Sequence, residues 1–182
     1  MVNEIKINGV VIEIFVGDYI NTTYDAMVVP TNTRLLPSGE LRCYVLRNAG
    51  SKVQVECNRI INKRCTIPVG TAVMTSGGKL NTKYLIHVVG PKLGMGHEGK
   101  KLAMSTWNSL KIADESGLNS VLFPPISNEM RGFNAKICAD VMLPTIKKYA
   151  IEANKNLTNI TICLENLPDY KNFEKVLDGL GN

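Results

Sequence analysis

"IPVGTAVMTSGGKLNTKYLIHVVGP", residues 67–91, holds two short apolar runs, "GTAVMTS" and "KYLIHVVG", around a turn-rich segment. Runs of this length, rich in valine and isoleucine and bounded by glycine, fit buried strands better than helices. Working outward, the pattern recurs in "DAMVVPT" (25–31), "NSVLFPPI" (119–126) and "NITICLE" (159–165). Helical spacing fills most of the gaps. Ser51 to Asn62 carries Val53, Cys57, Ile60 and Ile61, while Leu102, Thr106, Leu110 and Ala113 mark a second face ending at Gly117. Ile137, Cys138, Val141, Met142, Thr145, Ile146 and Tyr149 give a third helix, in which Pro144 should remove a hydrogen bond and introduce a kink. A fourth runs from Asp169 to Leu180, with Pro168 near its first turn.

At the start, "IKINGVVIEIF" places Asn-Gly between two β-rich runs, so Ile5 to Phe15 should form an antiparallel hairpin. Strands alternating with helices predict a largely parallel sheet covered on both faces, with the hairpin adding antiparallel strands at one side. Nothing in the composition divides residues 1–182, which read as one domain. In such a fold ligands bind beyond the carboxyl ends of the strands, where loops lead into helices. Two loops qualify, Thr31 to Arg42 and Ser127 to Asn134.

The chain has 182 residues, 45% of them hydrophobic, enough for an ordinary core. No apolar stretch is long enough to span a bilayer, and the first residues lack the order of a signal peptide, so the expectation is a soluble, cytoplasmic protein with no membrane role. Five scattered cysteines without a CxxC pair, and two histidines, argue against a disulfide framework or a metal site. No cofactor is expected. A net charge of +5 without a basic block predicts a solvated surface, with weak attraction to a polyanion as the alternative.

Several stretches together resemble the macrodomain family of ADP-ribose-binding modules. They are "GDY" at 17–19, "TN" at 31–32, "NAG" at 48–50, the segment 67–91, "FPPIS" at 123–127 and "DYKNFEKVL" at 169–177. The resemblance implies a three-layer α/β/α sandwich with a mixed, mostly parallel central sheet. It also implies a cleft for ADP-ribose or a related adenine nucleotide. In some members it implies hydrolysis of ADP-ribosyl or O-acetyl-ADP-ribose esters. An ADP-ribosylated protein would be a partner of the same chemistry.

Carried over residue by residue, the resemblance makes Asp18 the acceptor for the adenine amino group, beside Tyr19, and Asn32 the ligand of the distal ribose hydroxyls. As turn residues, Asp18 and Asn32 equally suit local capping. Ser38, Gly39, Glu40 and Leu41 replace a glycine-rich phosphate loop. Ser127, Asn128, Glu129, Met130, Arg131, Gly132 and Phe133 form the second. Both loops put a glutamate where the family has glycine. A carboxylate about 6 Å from a phosphate costs about 3 kcal/mol at an effective dielectric of ~20, against the roughly 8 kcal/mol of micromolar binding. Arg42 stands where hydrolytic members carry an aspartate. Arg42 and Arg131 could replace lost phosphate donors, or pair with Glu40 and Glu129 and fill the cleft. Glu165 falls where an adenine-stacking ring is common. His87 alternates with core positions and reads as a packed histidine, and Trp107 as a helix-face residue. Three readings follow: a nucleotide-binding module, a hydrolase, or a macrodomain that has lost its nucleotide site and works through a partner.

Overall fold

Seven strands form one sheet in the order β1-β2-β7-β6-β3-β5-β4. The computed structural model describes residues 1–126 and 134–181. The strands are β1 (Val2–Ile7), β2 (Val10–Val16), β3 (Ala26–Thr31), β4 (Ala72–Ser76), β5 (Tyr84–Val89), β6 (Ser120–Phe123) and β7 (Asn159–Leu164). The helices are α1 (Glu40–Ala49), α2 (Ser51–Arg64), α3 (Glu98–Glu115), α4 (Ala135–Glu152) and α5 (Leu167–Leu180).

The hairpin forms as its Asn-Gly signal predicts: β1 and β2 are antiparallel around Asn8 and Gly9, both at positive φ. The five central strands β2, β7, β6, β3 and β5 run parallel. Antiparallel pairing occurs at both edges, not only at the hairpin side. β4 turns back on β5, with Val73 opposite His87, because the connection from Gly77 to Lys83 is too short for a parallel crossover. As an edge strand β4 alternates in burial, whereas β5 is buried from Leu85 to Val89.

Two apolar layers enclose the sheet. Val45, Ala49, Val53 and Cys57 of α1 and α2 pack on one face with Met27, Val29 and Leu85. Leu102, Leu110, Met142, Ile146, Phe173 and Leu177 of α3, α4 and α5 cover the other with Val28, Ile86 and Val121. The outcome is the expected three-layer sandwich. α4 runs on through Pro144 as one element. α1 ends at Gly50, and the β4–β5 turn closes on it through Lys79 N–H to Ala49 O at 2.9 Å. Gly78 is required there, since a Cβ would lie 2.1 Å from Ala49 O. None of the described helices is long and apolar enough to cross a membrane.

Parallel strands bring the carboxyl ends of β2, β3, β6 and β7 to one edge of the sandwich. That edge carries Asp18, the loop into α1 and Glu165.

Candidate functional site

The loop between β3 and α1 is folded around one side chain. Asn32 Oδ1 accepts from Arg34 N–H at 3.0 Å and Leu36 N–H at 3.1 Å, while its Nδ2 donates to Leu36 O and Ser38 Oγ, each at 2.9 Å. Both donors and the acceptor oxygen of the amide are engaged within the loop. Asn32, expected at the distal ribose, therefore sits here as the loop's organiser. The bend places Leu35 at φ +55° and drives its side chain into the core against α1 and α2.

Arg42 continues this construction. It lies one turn before Val45 and two before Ala49 on the buried face of α1, and is fully buried. Its Nε donates to Leu36 O at 2.9 Å and its Nη2 to Leu35 O at 2.7 Å. Nη1 meets His87 Nδ1 at 2.9 Å. Cys57 Sγ lies 3.8 Å from Nη2. These described contacts point under the loop, into the sandwich, and the pairing expected with Glu129 lies outside the described residues.

The arrangement fixes the histidine tautomer. Arginine has only donors, so Nδ1 must accept and Nε2 carries the proton. Nε2 then donates to Thr75 Oγ1 at 2.8 Å, and that hydroxyl donates to Ser76 O. Burial first, and the Arg42 charge second, hold the His87 pKa well below its ordinary value. The imidazole is neutral. Burial also raises the Cys57 thiol, against the lowering influence of Arg42. His87 is the packed histidine anticipated, but its partner is a buried cation.

Asp18 follows β2 in the turn 17–21. Its Oδ1 accepts from Ile20 N–H at 3.1 Å and its Oδ2 from Asn21 Nδ2 at 2.6 Å. A carboxylate has about four acceptor positions, so this exposed group retains capacity for a ligand. It borders a cavity of about 150 Å³ with Tyr19, Leu41, Tyr44, Cys163 and Glu165. The Tyr19 ring is buried and its hydroxyl sits between the carbonyls of Val28 and Leu122, which ties it to β3 and β6. Cys163 donates to Gly17 O, and burial, reinforced by the Asp18 and Glu165 charges, pushes its pKa up to about 12. It is a protonated thiol, unsuited to nucleophilic chemistry.

A second cavity, of about 890 Å³, adjoins the first through Leu41, Tyr44 and Glu165 and extends past Gly39 and Glu40. Gly39 caps α1 at φ +68° without a side-chain bond, and the amides of Glu40 and Leu41 have no described hydrogen bond. Glu40 is exposed in the first helical turn. Ser38 is tied to Asn32. Ser127, Asn128, Glu129, Met130, Arg131, Gly132 and Phe133 lie outside the described residues. Tyr44 was not anticipated, although its place three residues after Leu41 puts it on a neighbouring strip of α1.

The Macro domain family model matches residues 28–142. The chain belongs to the macro domain family. An uncharacterised protein of Saccharolobus solfataricus is 34% identical over 172 residues, 94% of this macro domain and 95% of that protein. The O-acetyl-ADP-ribose deacetylase 1 of Pantoea vagans is 31% identical over 169 residues, 92% and 98% of the two chains. The Oceanobacillus iheyensis macrodomain solved with ADP superposes with a TM-score of 0.92 at 27% identity, covering 99% of this chain and 96% of that one. A point mutant of that neighbour was solved with ADPR.

Proposed function

We propose that this macro domain binds ADP-ribose or a closely related adenine nucleotide, free or as a modification on a protein. The base would lie beside Asp18 and the diphosphate at the amino end of α1. One observation carries the reading: adjoining cavities link a carboxylate acceptor to a helix start whose backbone donors are uncapped. Such a helix start favours an anion through its unpaired N–H groups and its dipole. The Oceanobacillus iheyensis macrodomain structures with ADP and with ADPR support the same ligand class. Calorimetric titration with ADP-ribose, with AMP and ATP as comparators, tests it. Asp18→Ala should weaken ADP-ribose binding by about 1.5–3 kcal/mol, the loss of a hydrogen bond to a charged acceptor. An absence of heat and of thermal shift at millimolar ADP-ribose would instead favour a macro domain acting through another partner.

The relative from Pantoea vagans supports a second reading, hydrolysis of an acetyl ester of ADP-ribose. That chemistry needs a group to polarise water near the terminal ribose. Arg42 cannot accept a proton, and neutral His87 is buried beneath it. Among the described residues Glu40 is the exposed acid at that end of the cleft. Acetate release from O-acetyl-ADP-ribose that disappears in Glu40→Gln would establish the enzyme reading.

A further inference from the structure

We propose that the outer edge of β4 takes a further strand: an extended segment of a partner polypeptide in which acidic and branched apolar residues alternate. β4 is the last strand of the sheet, two places beyond β3, and has β5 on one side only. The proposal is independent of the nucleotide reading.

In an antiparallel ladder alternate residues turn their backbone groups toward the partner strand. Val89 N–H donates to Thr71 O at one end of the β4–β5 pairing and Gly77 N–H to Lys83 O at the other, so the odd-numbered residues of 71–77 face β5. The even-numbered ones face outward. Ser76 keeps this phase: its N–H donates to Glu56 Oε2 and its hydroxyl to Glu56 Oε1, each at 2.7 Å. Glu56 thus covers that end of the edge. Farther along, the outward N–H and C=O groups of Ala72 and Met74 have no described hydrogen bond. Two donors and two acceptors at strand spacing are what an added strand pairs with.

The flanks specify its side chains. β4 floors a groove of about 350 Å³ between α2 and α3, and the side chains of an added strand would alternate between those two walls. On the α3 side Ala72 and Met74 lie with Ile112 against the apolar layer, a surface for a branched apolar residue. On the α2 side Lys63 and Arg64, exposed in the last helical turn, form no ion pair among the described residues. An acidic residue complements them. The same cations disfavour a second copy of this chain. Antiparallel pairing of two β4 edges across a twofold axis would bring α2 beside its own equivalent and set like charges together.

The experiment is a fluorescence-anisotropy titration of the full chain with a labelled peptide alternating glutamate and valine, beside one alternating lysine and valine. The glutamate peptide should bind about tenfold more tightly at low salt, and the double variant Lys63→Glu, Arg64→Glu should reverse that order. Methylating every second backbone nitrogen of the peptide separates strand addition from charge attraction. The set that faces β4 should lose about tenfold or more, and the other set about twofold or less. Met74→Pro should also abolish binding, because it removes an outward donor that the β4–β5 ladder does not use. An unchanged circular-dichroism spectrum would show that the sheet survives it. Absent or equal binding of the two unmodified peptides, or equal effects of the two methylated sets, overturns the proposal whatever the fate of Met74→Pro. So does a dimer of the chain alone that Met74→Pro dissociates, which would give the edge to a second copy.

Discussion

The Arg42 guanidinium and the His87 imidazole meet at 2.9 Å, Nη1 to Nδ1, beneath the loop that leads into α1. Two groups able to carry positive charge are adjacent in the interior, and this contact requires a neutral imidazole that accepts a hydrogen bond from the arginine. Two loop carbonyls take further donors from the same guanidinium. Arg42 thereby joins the β3–α1 loop to β5 through a single side chain.

Arg42→Met should keep much of the aliphatic packing but leave His87 Nδ1 without its donor and strip one from each of the Leu35 and Leu36 carbonyls. The expected loss is about 3 kcal/mol. For a chain of this size that lowers the thermal midpoint by about 6–12 °C, measurable by circular dichroism. An unchanged midpoint would show that the buried guanidinium does not hold the loop.

Acid should weaken the fold through His87. The folded protein resists protonation of this residue, while an unfolded histidine takes up a proton near its ordinary value of 6.5. Below that pH the unfolded state binds more protons, so stability falls on acidification. The loss should reach about 1.4 kcal/mol at pH 5.5 and continue toward the lower folded value. Asp25 and Glu56, whose pKa values are lowered in the fold, add their own losses only at more acidic pH, below the ordinary carboxylate values. Urea unfolding of the wild type and of His87→Gln between pH 7.5 and 5.5 checks this. The amide can accept from Arg42 and donate to Thr75 without titrating, so the variant should show the flatter profile.

Asn32→Ala should destabilise the ligand-free protein by about 1–2 kcal/mol, because four hydrogen bonds within the loop depend on that amide. A residue reserved for ribose would show its effect only in titrations with ADP-ribose. Thermal melts without ligand separate the two roles.

Glu40→Gln should tighten ADP-ribose binding by about two- to fivefold, the scale of an exposed charge interaction. The gain should shrink as salt is raised, since screening already weakens the wild-type repulsion. Weaker binding by the variant would mean that the carboxylate assists the ligand.

Much of this was legible because it was local. The Asn8-Gly9 turn, the short apolar strands and the spacing of Leu102, Leu110 and Ala113 each depend on neighbours in sequence. The antiparallel β4 was also implicit, in the brevity of its connection to β5. Arg42 illustrates the limit. Helical phase with Val45 and Ala49 already placed it on the buried face, but arginine is ordinarily exposed, and the acceptor that stabilises it inside lies 45 residues away. Tyr44 was hidden differently: it shares a cavity with Glu165, which is brought there only when β7 joins the sheet.

The buried arginine also constrains the order in which substitutions can accumulate at this edge. A single Arg42→Asp change would bury a carboxylate among the Leu35 and Leu36 carbonyls and an imidazole nitrogen that offers a lone pair rather than a proton. The imidazole could answer by taking up a proton or reversing its tautomer, but the second course sacrifices its donation to Thr75. Positions 42, 87 and 75 are therefore interdependent: a lineage gaining or losing an acid at 42 must first relax the partners, or pass through a poorly folded intermediate.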